Sequence, residues 1–157
     1  MSLDPETVLD KLARYKGVVP TRAWGEWMLA YNPGNHFPRG TYFATIKLDD
    51  GENDKASRLK RDNVWRLNFG PLRSEFVQQF GQPPARPGKG AVIEGPWDFT
   101  SIDQLMPHPV YGWMSWMCVL CPTASTLEEL EPLLVSAHGR AKATFDKRTR
   151  KRTEIPL

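Results

Sequence analysis

His108 stands between two prolines in the stretch Met106-Pro107-His108-Pro109-Val110-Tyr111-Gly112. Proline fixes its own φ and restricts the residue before it, so the imidazole projects in a set direction, as an orienting group or proton carrier requires. Tyr111 lies three residues on. Two readings follow: a pair that handles a ligand or a proton, or two side chains that satisfy backbone groups at a tight corner. The second is favoured, because no Cys, Ser or carboxylate motif adjoins His108 to complete a catalytic set.

Arg66 and Asn68 are two apart in Asn63-Val64-Trp65-Arg66-Leu67-Asn68-Phe69. On a strand they share a face, where a guanidinium fork and an amide could grip a carboxylate or phosphate. The competing reading is a cross-strand hydrogen-bonded pair on a solvated face. Thr45 belongs to the same predicted face, and Lys47 could join it. Thr45, Arg66, Asn68, His108 and Tyr111 are therefore the ligand-binding candidates, with no catalytic residue, metal or cofactor assigned.

Cys118 and Cys121 have the spacing of a redox or zinc half-site. Positions three apart on a strand face opposite ways, so the two sulfurs can neither bond nor share a metal there, and two structural thiols are expected. His36, His108 and His138 are too scattered to form a metal site by spacing. The acids of Asp49-Asp50-Gly51-Glu52-Asn53-Asp54 do not follow the ligand order of a calcium loop. A solvated turn is the expectation.

The elements that must position these residues follow from periodicity. Asp4-Pro5-Glu6 opens a helix carrying Val8, Leu9, Leu12 and Tyr15 at helical spacing, and Gly17 closes it. Alternation predicts strands over 24–31, 41–48 and 63–69. In the second, Tyr42, Ala44, Ile46 and Leu48 oppose Phe43, Thr45 and Lys47. Pro71 to Phe80 reads as a short helix, residues 82–90 as a loop, 91–93 as a brief strand and 98–105 as a turn of helix. The apolar run from Trp113 to Pro122 reads as a buried strand. A closing helix follows, with Thr126 and Glu129 as a capping box and Leu127, Leu130, Leu134, Ala137, Ala141 and Phe145 in one stripe. Pro132 should kink it or split off its first turn.

Connections this short favour antiparallel pairing. The fold class expected is α+β: two layers, a mainly antiparallel sheet and helices packed on one face. The other face would show Thr45, Arg66 and Asn68 among aromatics, an apolar patch that a ligand, a loop or a second copy must cover. A homodimer is expected on that ground.

The chain has 157 residues, 40% of them hydrophobic, which suits one globular domain. We place it at residues 1–148, with a basic C-terminal tail at 149–157. The net charge of +3 is unevenly spread, with seven cations against Asp146 and Glu154 after residue 138. That end suggests either weak nucleic-acid contact or a solvated helix end whose cations oppose the dipole. The N-terminus lacks the pattern of a signal peptide and no run is long enough to cross a membrane, so a cytoplasmic setting with no membrane partner is expected. Most of the six tryptophans fall in apolar phases. Trp24 and Trp97, flanked by glycine or proline, are the candidates for base stacking.

Several segments together resemble a bacterial, actinobacteria-rich family of domains of unknown function: Ala23-Trp24-Gly25-Glu26 with Tyr31-Asn32-Pro33, Phe43-Ala44-Thr45-Ile46, Val64-Trp65-Arg66-Leu67-Asn68, Pro107-His108-Pro109-Val110-Tyr111-Gly112 with Trp116, and Leu133-Leu134 with Ala137-His138. Cys121 departs from the asparagine such sequences tend to carry before the proline. More distantly the chain is similar to the MmcQ/YjbR group, which implies a compact α+β fold like that of secretion chaperones and double-wing DNA-binding domains. Neither resemblance supplies an activity. The leading functional expectation is a non-catalytic module for a small anionic ligand or a protein partner. The alternatives are weak nucleic-acid binding through the basic end, and an enzyme using His108 as general acid or base.

Overall fold

The computed structural model describes residues 1–154, with side chains as far as Lys151. Its frame is an antiparallel sheet of six strands: β1 (Val18–Ala23), β2 (Glu26–Tyr31), β3 (Thr41–Lys47), β4 (Arg66–Phe69), β5 (Met106–Pro107) and β6 (Met117–Leu120). They lie in the order β1-β2-β3-β4-β6-β5, so β6 is paired on both sides while β1 and β5 form the edges, with Pro20 in one and Pro107 in the other. Three helices, α1 (Pro5–Ala13), α2 (Arg73–Phe80) and α3 (Ala124–Glu154), pack on one face. This is the expected two-layer α+β arrangement.

The helix-facing core is built from the side chains that alternation assigned inward. Leu29, Ile46, Leu67, Phe69 and Val119 from the sheet meet Val8 and Leu12 of α1, Phe76 of α2 and the whole apolar stripe of α3. All six stripe residues are buried. Truncating one of them, such as Leu134→Ala, should cost about 2–5 kcal/mol through lost burial and a residual cavity.

Local chemistry explains where elements begin and turn. Trp24 and Gly25 join β1 to β2 in a two-residue turn with φ of 51° and 72°. Both residues at positive φ is the primed turn that matches strand twist. A bulge between Leu29 and Ala30 of β2 leaves Phe43 without an opposite residue. The extra residue reverses the alternation of β3 at that point. Phe43 therefore joins the core with Ala44 and Ile46, and Tyr42 falls on the face of Thr45 and Lys47, the reverse of what strict alternation predicts. The Thr123 hydroxyl, not Thr126, caps α3 by accepting the Thr126 amide at 3.2 Å. α3 also continues through Pro132 without a break. The carbonyl freed by that proline belongs to Glu128, an exposed residue.

Other expectations are corrected. Residues 91–93 pair with no strand and 98–105 form no helix. β1 was not foreseen. The apolar run after Gly112 starts as a 3-10 turn (Gly112–Met114), passes through Ser115 at φ 71°, and becomes strand only at Met117. α3 runs on through residues 149–154, and residues 155–157 of the expected tail lie outside the described residues.

The second sheet face is not left bare. Leu59, Ile93 and Phe99, from the segments between β3 and β4 and between α2 and β5, close over Met106, Cys118 and Leu120 as a smaller core. Loops of the chain itself thus cover part of this face. No helix among the described residues is long and apolar enough to cross a membrane.

Candidate functional site

Beside the smaller core, the same sheet face opens into a cavity of about 490 Å³. Its floor is the outward row of β2 and β3, with Glu26, Met28, Tyr42, Thr45 and Lys47. One wall is the corner formed by His108, Val110, Tyr111, Met114 and Trp116. The rim carries Trp24, Arg39 and the Gly51–Asp54 turn.

The corner is locked by its own backbone. The His108 amide donates to the Trp116 carbonyl at 2.9 Å, the Gly112 amide to the His108 carbonyl at 2.8 Å, and the Ile93 amide to the Pro109 carbonyl at 2.9 Å. His108 Nδ1 then accepts two further amides, from Val110 at 3.1 Å and Tyr111 at 3.0 Å. A nitrogen accepting two N–H groups carries no hydrogen, so the neutral ring holds its proton on Nε2. The corner reading is correct for Nδ1, and it leaves no free lone pair there for a general base. Tyr111 is half-exposed, its ring 5.0 Å from the imidazole.

Behind this wall lies a polar network that decides the roles of the other candidates. Arg66 is 1% exposed and Asn68 fully buried. Arg66 Nη1 donates to the Asp54 carboxylate at 3.1 Å and to the Ser57 hydroxyl at 2.9 Å, and Nη2 makes a close ion pair with Asp54. Nε donates to Asn68 Oδ1 at 2.7 Å. Since guanidinium only donates, Asn68 must present its oxygen there and its NH₂ to Thr45, whose Oγ1 accepts at 3.0 Å. Arg66 and Asn68 do not line the cavity, and their hydrogen bonds run to Asp54, Ser57 and Thr45 and between themselves. They support Thr45 and His108, which do line the cavity. Four of the candidates, Thr45, Arg66, Asn68 and His108, form one connected cluster, and Tyr111 lies tilted against His108 at its edge.

The sequence reading missed Asp54. Placed in a solvated turn, it instead folds that turn onto the sheet. Burial alone would raise its carboxyl, but the charge and hydrogen bonds of Arg66, aided by His108 and Lys47, hold it below the ordinary carboxylate range. The available signal was Arg66 itself: an arginine in a buried phase of a strand needs an acid, and the acidic turn just upstream offers one. Burial, then the charge of Arg66, pushes His108 well below the usual histidine value, with Asp54 partly opposing. Lys47, also buried, has a single long ion pair to Glu26 at 3.7 Å.

The two cysteines are free and point into different cores, Cys118 beneath the cavity face and Cys121 into the helix-facing side. Trp97 packs against Phe80 and Phe99, which removes it as a stacking platform, whereas Trp24 is 93% exposed at the cavity rim. His138 is half-buried on α3, with Nε2 2.7 Å from the Lys16 carbonyl, and His36 is exposed. Among the described residues no group of His, Cys, Asp or Glu side chains is placed to hold a metal.

Comparison with protein families places this arrangement. The profile of a family of unknown function, DUF6194, matches residues 3–150. The chain belongs to the DUF6194 family. The match takes in every strand, the first two helices, the cavity and nearly all of α3, so the site is part of the DUF6194 domain and not an appendage to it. Neither the curated proteins nor the solved structures contain a significant match.

Proposed function

We propose that this DUF6194 domain is a non-catalytic small-molecule-binding module whose binding site is the cavity between β2–β3 and the His108 corner. The supporting observation is the junction of a concave, aromatic-walled space with a hydrogen-bonded polar network behind it. A volume of about 490 Å³ falls within the ~300–1,000 Å³ of small-molecule sites, which combine apolar walls with a few fixed polar groups. Buried networks of this kind hold side chains in one geometry, as a preformed site needs.

The enzyme reading draws less support, since the Nδ1 lone pair of His108 is occupied by two amides. The nucleic-acid reading draws less support because several cations of this end are engaged within the protein. Arg140 holds the Gly70 and Tyr42 carbonyls, Arg148 holds Gly40 and Thr41, and Lys142 pairs with Asp146. Arg152 and the tail beyond it lie outside the described side chains. Two buried free thiols fit a reducing compartment, and we include a cytoplasmic setting in the proposal. The bacterial origin and the distant kinship with the MmcQ/YjbR group remain part of the same proposal, carried by the sequence segments alone.

A fragment screen read by amide and indole NMR shifts tests the assignment. Hits should perturb Thr45, Lys47, Tyr111 and the Trp24 and Trp116 indoles together. Hits that scatter over the surface, or a screen that finds none, would remove the cavity as the site.

A further inference from the structure

The polarity of the bonds in the network says more than its presence. Asn68 gives its NH₂ to Thr45 Oγ1, so that oxygen acts as acceptor and keeps its own O–H hydrogen to give. His108 accepts two amides at Nδ1 and so carries its hydrogen on Nε2, where the group it meets within the protein is the Arg66 Nη2 at 3.3 Å, another donor. That nitrogen is turned to the buried guanidinium, and the donors left for the cavity are those of Thr45 and Lys47. Lys47 brings three N–H groups and has one long partner. All three side chains are buried, and all three line the same cavity.

The natural counter-charges do not answer this need. The Asp54 carboxylate is taken by Arg66 and Ser57 lies behind it on the same guanidinium, while Glu26 stands at 3.7 Å from Lys47. The floor of the cavity thus sets the donors of Thr45 and Lys47 beside one carboxylate, Glu26, whose contact with Lys47 is long, while Asp54 at the rim is engaged by Arg66. Its upper walls are aromatic and thioether surfaces: Trp24, Tyr111, Met114 and Trp116. On one side of the space chemistry calls for an oxyanion, and on the other for a flat apolar body.

Resting on the small-molecule reading above, we propose that the cavity selects aryl carboxylates: the carboxylate lies on Thr45 Oγ1–H and Lys47 Nζ, and the ring lies against Trp24 and Tyr111. Charge-assisted bonds to a carboxylate are about twice as strong as neutral ones, and a buried donor set loses them when the ligand is made neutral.

The test pairs each acid with its own primary amide: phenylacetate with phenylacetamide, and 2-naphthoate with 2-naphthamide, titrated to about ten millimolar with NMR detection. Acids should bind at least about tenfold more tightly than their amides, a difference of ~1.4 kcal/mol. Lys47→Met should abolish that preference while leaving the amides bound. Thr45→Val, nearly isosteric, gives a second reading with reduced preference should the lysine variant fold poorly. Equal binding of acids and amides at the cavity, or a preference unchanged in both variants, overturns the carboxylate assignment and leaves the small-molecule reading standing. Absence of any perturbation at cavity residues by all four probes overturns the assignment, and the fragment screen then judges the broader reading separately.

Discussion

Arg66 Nη2 and His108 Nε2 lie 3.3 Å apart, contributed by β4 and by the corner that follows β5. A fixed positive charge is thereby held against a ring that is neutral and already saturated at its other nitrogen. Protonating His108 would place two cations in contact inside the protein, with Asp54 able to compensate only one.

Acid should therefore weaken the fold from an unusually high pH. The unfolded chain binds a proton at His108 near pH 6.5, while the folded ring, held down by burial and then by Arg66, does not. Stability is complete above about pH 6.5 and falls as pH drops, by up to ~1.4 kcal/mol per unit until the folded ring titrates. His108→Asn keeps an oxygen for the Val110 and Tyr111 amides but cannot titrate. Urea midpoints between pH 7.5 and 5 should slope in the parent protein and flatten in the variant. Equal slopes would assign the acid sensitivity elsewhere.

The Asp54–Arg66 pair acts at lower pH and in the opposite member of the couple. Its contribution holds above the unfolded carboxyl value of about 3.9 and goes as pH falls through the lowered folded value. Asp54→Ala strands a buried guanidinium and should cost about 3–5 kcal/mol. Combining it with Arg66→Met removes the stranded charge, so the double variant should be more stable than the sum of the single losses implies. Additive losses in chemical denaturation would show that the two side chains are not coupled.

Trp24 exchanges stability for contact. It occupies a positive-φ position beside Gly25, where Asn is the favoured partner of Gly, yet it is exposed at the cavity rim. Trp24→Asn should raise the thermal midpoint by an amount worth roughly 0.5–1 kcal/mol and weaken binding of aryl probes. A variant that gains stability with probe affinity intact would take Trp24 out of the site.

Gly70 sits behind Trp116, and a Cβ there would lie 2.5 Å from the indole Nε1. Gly70→Ala should force the ring toward the cavity, costing about 1–3 kcal/mol by overpacking and shifting the Trp116 indole resonance. An unshifted resonance would mean the backbone yields instead.

Thiol chemistry should be silent in the folded protein. Burial pushes the Cys118 thiol up to about 12, with Arg66 only partly opposing, and Cys121 is buried in the other core. At pH 8 neither should react with a disulfide reagent over an hour, and both should react in denaturant. Rapid native labelling, located by mass spectrometry, would contradict the placement.

How much could be read from the chain alone differs by residue. The stripe of α3 and the inward row of β4 were legible because both elements keep one period from end to end. Phase failed in β3, where the bulge at Phe43 depends on pairing with β2 and leaves no mark in the local sequence. The His108–Arg66 juxtaposition was legible in outline, since prolines fix one group and strand phase the other. The role of Arg66 was not. Whether an arginine meets a ligand or an internal acid depends on Asp54, twelve residues away in a turn whose polar composition suggested solvent.

The two outermost strands have one more consequence. Each edge of the sheet carries a proline, Pro20 on one side and Pro107 on the other, and Pro107 lies in a strand of two residues. Every such ring deletes a hydrogen from the row that an incoming chain would need to extend the ladder. Lateral stacking of copies into ribbons is thereby discouraged at both borders, which protects a tryptophan-rich polypeptide from aggregating through the very surfaces its sheet leaves unpaired.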